Sequence, residues 1–550
     1  MMNGLILILE LSTWACKAAS LEENGGVIFG TKTSYFPVAN QNTSIPTPPG
    51  CSPVMFWHLA RHGTRYPGKD DIENMRDNLS RLRDEMIAAW NDGKGNLSSE
   101  IILQLKNWTL LPTPEDDKLI TTSGRKEHFE MGQRWEKRFD NFNFFHPNKT
   151  EVYTSYKQRC IESGKEFMKG LFSAELPLVE DNHLLRFYDY CSLYINEVGE
   201  SETPCQEVLK FETMPVFKEV GDRTEKQTGV QFSKSELDIL WDICRFEVSW
   251  FPGTWSPWCS VFSIQDLHVY EFREDLKYYY EDGYAYNITK LMTQPLWHDL
   301  ITRLEVLQEG RLAVNNSVLM FAHAETLMPF LVSLGLYLDQ EPVKASDWPL
   351  EDRKWKTSEI SSFGTNLDVI VLRCSASQVK GNYENTSSEE FMDKTEKSVD
   401  LETSKESEAS TKSEESKESE ESTESDSRES EESEESENSK IDKRSVDSDE
   451  STESEESKEL EESKESKKRK KSDVSKESKE SKESEESKEP ERYKKLEELD
   501  LIAGEELKIQ IMHQEKITII PGLGDLIPLS AFIQKYKYLA DLDFDKICEN

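Results

Sequence analysis

The chain has 550 residues and a formal net charge of −39, and more than half of that charge lies outside its most repetitive stretch, residues 391–490. An excess of acid on this scale excludes nucleic acid as a partner, because binding to a phosphate backbone rests on clustered Lys and Arg. The one basic run, Lys464 to Lys471, sits among glutamates that neutralise it and reads as a solvated charge run.

At the N-terminus a short apolar stretch from Leu5 to Ala15, followed by Ala18, Ala19 and Ser20, reads as a secretory signal peptide over residues 1–20. No later segment reaches the roughly 18 uninterrupted apolar residues of a spanning helix, so no membrane anchor is expected. Cleavage would remove Cys16 and leave an even number of cysteines without a CxxC pair, a pattern of disulfides rather than of zinc. The spacing of ligand-type residues suggests neither a metal nor a cofactor. Glycosylation sequons at Asn42, Asn78, Asn96, Asn107, Asn148, Asn287, Asn315 and Asn385 agree with export. The C-terminal DKICEN is not a retrieval signal, which favours the extracellular space over the ER.

The apolar run Val54 to Ala60 turns abruptly polar at Arg61, as a strand buried on both faces does in a parallel sheet. Val152 to Ser155 reads as a second strand leading into a helix that carries Arg159. Residues 176 to 299 are rich in amphipathic and aromatic segments and read as a helical lobe roofing the site. Val318 to Ala322 repeats the first design, with His323 where the strand ends. In open α/β sheets ligands bind beyond the carboxyl ends of the strands, so His62, Arg159 and His323 are expected at one edge.

Asn366 to Cys374 and Glu506 to Ile520 read as two further strands, and between them residues 385–496 repeat Ser, Glu and Lys almost without apolar side chains. Such a segment cannot bury enough surface to offset its chain entropy and is expected to be a disordered acidic insert. If the two strands pair, the insert is a long hairpin loop, and growing a loop from about 8 to about 128 residues costs only about 2.4 kcal/mol. The catalytic domain is then split into 21–384 and 497–550. The fold class is α/β, a mostly parallel central sheet flanked by helices with an inserted helical lobe.

The densest chemistry is RHGTRYP at 61–67, two arginines and a histidine within five residues at a strand end. The planar fork of arginine matches phosphate with paired hydrogen bonds and stays charged at any working pH. A histidine beside such charges has its protonated form disfavoured, which leaves the imidazole able to attack. An isolated RHG would be read as surface ion pairs and a helix cap, but the full RHGxRxP string resembles the signature of the histidine phosphatase superfamily, in its acid phosphatase and phytase clade. The HAET string at His323 to Thr326, LITTSGRKEHFEMGQRW from Leu119, RFYDYC from Arg186 and SPWCSVF from Ser256 are similar to the multiple inositol polyphosphate phosphatases. The resemblance runs from about Cys51 to the end, the insert apart.

This resemblance implies a phosphoglycerate-mutase-like fold, His62 as a phosphate-accepting nucleophile, and a phosphate pocket of Arg61, Arg65, Arg159 and His323. Where general acid phosphatases have Asp after the second histidine, Ala324 and Glu325 stand here, which makes Glu325 the proton donor; a Glu in a first helical turn also suits the helix dipole without catalysis. Disulfides Cys51–Cys374 and Cys244–Cys259 are implied, with Cys160 a buried free thiol. Lys157 and Arg125 are candidates to hold further phosphates of a polyanionic ester. Three functions stay open: a phosphatase of inositol polyphosphates such as phytate, a broad acid phosphatase, and a secreted calcium- or matrix-binding protein, for which the Ser-x-Glu triplets of the insert are kinase targets.

Overall fold

The computed structural model describes residues 29–43, 47–199, 203–313, 316–375, 496–498 and 504–549. The signal peptide, the insert up to residue 495, Asn315 and Asn385 lie outside the described residues. The strands in chain order are β1 (Cys51–Arg61), β2 (Thr150–Thr154), β3 (Val179–Glu180), β4 (Arg311–Ala313), β5 (Ser317–Ala322), β6 (Asn366–Ser375), β7 (Leu496–Glu498), β8 (Glu505–His513), β9 (Lys516–Ile517) and β10 (Ile527–Pro528). The longer helices are α1 (Lys69–Asn91), α2 (Ser99–Lys106), α3 (Thr122–Phe139), α4 (Gln158–Phe172), α5 (Thr203–Glu212), α6 (Pro215–Thr228), α7 (Lys234–Trp250), α8 (Ile264–Glu281), α9 (Gln294–Gln308), α10 (Ala324–Ser333) and α11 (Leu529–Ala540).

The main sheet has the order β10-β8-β6-β1-β5-β2-β3, with β9 on β8. Strands β1, β5, β2 and β3 are mutually parallel. On its other side β1 meets β6 antiparallel, and β6 meets β8 antiparallel. The sheet is therefore mixed, with the parallel strands grouped on one side of β1. Burial on both faces, which β1 has throughout except at Ser52, identifies a central strand without fixing the sense of its neighbours.

Side chains alternate between two apolar layers, as a period of two dictates. Trp57 and Leu59 of β1, Val318 and Met320 of β5, and Val369 and Val371 of β6 point into one layer with α9, α10 and α11. Phe56, Leu319, Phe321 and Ile370 point into the other, against α3 and α4. Across the β1–β6 pair, His58 Nδ1 lies 2.5 Å from Asp368, both fully buried. Among the described residues no helix is long and apolar enough to cross a membrane.

A third core belongs to the helical lobe, which differs from the expected span of 176–299 at both ends. It takes in Met75, Leu79, Leu82 and Met86 of α1 and Ile102 and Leu105 of α2, whose spacing of three and four puts them on one helix face. Leu184, Leu185 and Phe187 at one boundary, and Leu296 and Trp297 at the other, pack under the sheet instead. Trp297 stacks on Tyr536 of α11 with ring centroids 4.5 Å apart, which binds α9 to the sheet layer.

β6 and β8 pair over their full length, from Leu367 with His513 to Ser375 with Glu505. The chain leaves the sheet at Ser375, beside Cys51, the opposite end of β1 from Arg61 and about 30 Å away along the strand. Leu496, placed at the end of the insert, opens β7, which pairs with β4. Disulfides join Cys51 to Cys374 and Cys244 to Cys259 as expected, and a third, unanticipated, joins Cys191 to Cys548. Cys160 is free and buried.

Candidate active site

Three adjacent parallel strands end within one residue of one another: Arg61 is opposite Ala322, and Thr154 is opposite Phe321. The next residue of each strand is polar, and these are His62, His323 and Ser155. The His62 amide donates to the Ala322 carbonyl at 2.9 Å and the Ser155 amide to Phe321 at 3.3 Å, so the sheet pattern carries one step beyond the strands. Helices α4 and α10 begin here, and their N-terminal ends favour an anion at this edge. His323 caps α10, Glu325 lies in its first turn, and Arg159 lies in the first turn of α4.

The loop after β1 is held tightly. A Cβ on Gly63 would lie 2.4 Å from the Gly124 carbonyl oxygen, which explains the glycine of RHG and the SG of the segment from Leu119. Glu127 of α3, fully buried, accepts from the amide and hydroxyl of Thr64, both at 2.8 Å, and from Ser34 and Tyr35, both at 3.0 Å. Arg61 donates to the carbonyls of Thr31 at 2.7 Å and Ser361 at 2.5 Å, with its guanidinium over the Phe363 ring. Arg65 donates to the Tyr66 carbonyl at 2.9 Å, and its own carbonyl accepts from Trp250 of the lobe at 3.2 Å. The lobe thus roofs the loop through α7.

His62 Nδ1 lies 2.9 Å from the Gly63 carbonyl oxygen. Since a carbonyl only accepts, Nδ1 carries the proton and Nε2 keeps its lone pair. Burial, more than any single neighbour, holds the His62 pKa well below its ordinary value; Arg159, Arg61, His323 and Arg65 follow. The arginines invoked from the sequence are thus real but secondary contributors. His323 is likewise pushed down, first by burial and then by Arg186, Arg159, Lys157 and Arg61. Its Nε2 lies 2.9 Å from Ser155 Oγ and accepts from Arg186 Nη1 at 3.1 Å, while Nδ1 lies 3.5 Å from Arg159 Nη2. The rings of His62 and His323 meet edge to face at 5.6 Å.

The structure therefore brings together His62, Arg61, Arg65, Arg159, His323 and Glu325. It adds Arg186, which sequence reasoning passed over although it opens the RFYDYC string. Asp189 accepts from Arg186 Nε at 2.8 Å and orients the guanidinium. Glu325 is half-buried, and, behind burial as the main cause, its charge helps push up the pKa values of Cys160 and Tyr194. Burial raises the Cys160 thiol to about 11, so it stays protonated, donating to the Ala322 carbonyl at 3.2 Å. Arg125, a candidate for extra phosphate contacts, pairs instead with Glu162. Of the sequons, Asn42, Asn96, Asn107, Asn148 and Asn287 are exposed; Asn78 is half-buried on α1, its Nδ2 bonded to Asn74.

Four arginines around two histidines held neutral, at two helix N-termini, form a strongly cationic pocket suited to an anion, with His62 Nε2 unprotonated. Comparison with known proteins agrees. Human (Homo sapiens) multiple inositol polyphosphate phosphatase 1 is 29% identical over 379 residues, 63% of this chain and 77% of its own length. Phytase A of Aspergillus awamori is 24% identical, covering 64% of this chain and 80% of its own. The crystal structure of the phytase from D. castellii shares the fold, with a TM-score of 0.51 at 17% identity over 64% of this chain and 77% of that one. The model of the histidine phosphatase superfamily (branch 2) matches residues 56–398, more than half of the sequence, and the chain belongs to that family of histidine-type phosphomonoesterases.

Proposed function

We propose that the protein is exported and removes phosphate from inositol polyphosphates such as phytate through a phosphohistidine on His62. The observation that carries this is the fixed tautomer of His62: a neutral ring, Nε2 unprotonated, inside a cluster of arginines. Arg61, Arg65, Arg159, Arg186 and His323 hold the phosphoryl oxygens. As Nε2 bonds to phosphorus the ester P–O bond breaks, and the leaving oxygen takes a proton from Glu325. Water then attacks the phosphohistidine, gives its proton to the Glu325 carboxylate, and releases orthophosphate and free His62.

Support for an inositol polyphosphate substrate comes from the names of the relatives and from Glu325 two residues after His323. Export is supported by the disulfides, the exposed sequons and the N-terminal apolar stretch. The Ser-x-Glu triplets of residues 385–496 support an added calcium- or mineral-binding role; calcium uptake by the full chain, unchanged by dephosphorylation and by deletion of the segment, would exclude it.

The test is phosphate release from phytate by purified wild type and His62→Ala, without added metal, together with trapping of the phosphoenzyme in alkali. Release and a trapped phosphohistidine in wild type alone are expected. Cleavage of para-nitrophenyl phosphate but not phytate would make the protein a broad acid phosphatase.

A further inference from the structure

A polyphosphate ester brings charges beyond the phosphate being cleaved, and on a chain of net charge −39 each must find a cation locally. Arg125 is already committed, with Glu162 on its guanidinium and Glu166 at 3.9 Å. Lys157 differs. Among the described residues its ammonium meets no carboxylate within ion-pair distance; it lies over the Tyr156 ring, 4.7 Å from the centroid. The guanidinium of Arg186 sits against the same ring at 5.4 Å.

Tyr156 is 48% exposed, so its ring is open to solvent beside these two cations. Its backbone is fixed, because its amide donates to Asn182 Oδ1 at 3.1 Å and the preceding residue, Ser155, lies against His323. The ring, three residues before Arg159, lies against the Arg186 guanidinium that reaches His323. Lys157 is near enough to help depress the His323 pKa, so its charge is felt inside the pocket. A lysine is a flexible point charge, and resting its ammonium on a ring face lowers the entropy lost when it meets an anion.

We propose that Tyr156 and Lys157 form a subsite for a second phosphate, on the carbon next to the one being dephosphorylated, with Tyr156 as the residue that sets the preference for polyphosphates over monophosphates. The choice of phytate as the physiological ligand rests on the function proposed above; the subsite itself requires only a vicinal bisphosphate.

The test uses the full-length secreted protein and steady-state kinetics for wild type, Lys157→Met, Tyr156→Ala and Tyr156→Phe. Substrates are phytate, ethane-1,2-diyl bisphosphate, ethyl phosphate and para-nitrophenyl phosphate. Lys157→Met and Tyr156→Ala should raise KM for both polyphosphates about tenfold, the scale of one exposed charge-assisted contact, and leave both monophosphates within about twofold. Tyr156→Phe keeps the ring face and should behave as wild type. Equal changes on mono- and polyphosphates, or none on either, would overturn the subsite. If wild type ignores phytate but prefers the bisphosphate to ethyl phosphate, and Lys157→Met abolishes that preference, the subsite stands and the phytate reading fails. If phytate is cleaved with one KM in all four proteins, the reverse holds. A protein that turns over none of the four overturns both.

Discussion

His62 Nδ1 faces the carbonyl oxygen of Gly63, the next residue, at 2.9 Å. One short bond within a dipeptide thus decides which nitrogen can attack. Gly63 also lets this loop press against α3, because the space a Cβ would need is filled by Gly124. The ring is also kept neutral, with burial as the main cause and the arginines next.

From this follows a pH profile. A histidine whose pKa is lowered keeps its neutral, reactive form as pH falls below its ordinary value of about 6.5. Turnover of saturating para-nitrophenyl phosphate should therefore show no loss centred near pH 6.5, the acid limb lying well below it. A midpoint at 6.5 would mean that His62 is solvated in the working enzyme, contrary to its burial.

Gly63→Ala tests the loop itself. The added methyl, 2.4 Å from a backbone oxygen, must push the 61–67 loop off α3. A shift of about 1 Å at the attacking atom can cost about 100-fold in rate. We expect kcat to fall on that scale, with thermal unfolding lowered by only a few degrees. Gly221→Ala is the control: nothing lies within 4 Å of the new methyl, on α6, so activity should not change. Equal activity in both variants would remove Gly63 from the positioning of His62.

Some of this was readable from the sequence for a physical reason. At 54–62, 318–323 and 152–159 an apolar run buried on both faces breaks into polar residues where the strand leaves the core, so His62, His323 and Arg159 announced both the strand ends and their common edge. Other features depend on contacts that no local pattern encodes. Arg186 matters because its guanidinium meets His323 across the pocket. Cys191 and Cys548 are 357 residues apart and could not be paired by spacing. The apolar stripe of α1 is a local signal, yet nothing in it says that α1 joins helices more than 100 residues further on. The sense of the β1–β6 pairing was hidden for the opposite reason: a central strand looks the same beside either kind of neighbour.

Glu325 sits in the first turn of α10, one residue beyond Ala324 and two beyond His323. A structural carboxylate there would serve the helix dipole and leave chemistry alone. A proton donor matters in proportion to the basicity of the leaving group. In a single turnover, before water enters, Glu325→Gln should slow transfer of phosphate from phytate to His62 by about 10²- to 10⁴-fold and transfer from para-nitrophenyl phosphate, with its far weaker leaving base, by less than about tenfold. Equal losses on both substrates would return Glu325 to the dipole role.

The last prediction concerns the split domain. Residues after 504 are held by more than chain continuity: β8 pairs along all of β6, and α11 packs under the sheet. Glu515, fully buried just past β8, accepts from Tyr35 at 2.8 Å and Arg134 Nη2 at 2.6 Å, and pairs with Arg138. Cys548 is bonded to Cys191, whereas both cysteines of the Cys51–Cys374 bridge precede the insert. Opening the chain at a specific protease site engineered between 376 and 495 should therefore yield two pieces that migrate together without reductant and separate with it. Activity should stay within about twofold of the uncut protein, because the catalytic edge of the sheet is the one opposite Ser375 and Glu505. Cys191→Ser with Cys548→Ser, cut in the same way, should still pair through β6 and β8 but release its C-terminal piece at a lower urea concentration, since in the cut protein the bridge is the covalent tie that keeps re-pairing of the two pieces intramolecular. Loss of activity on cutting, with the pieces still joined, would show that the connection between β6 and β8 positions the site as well as spanning it.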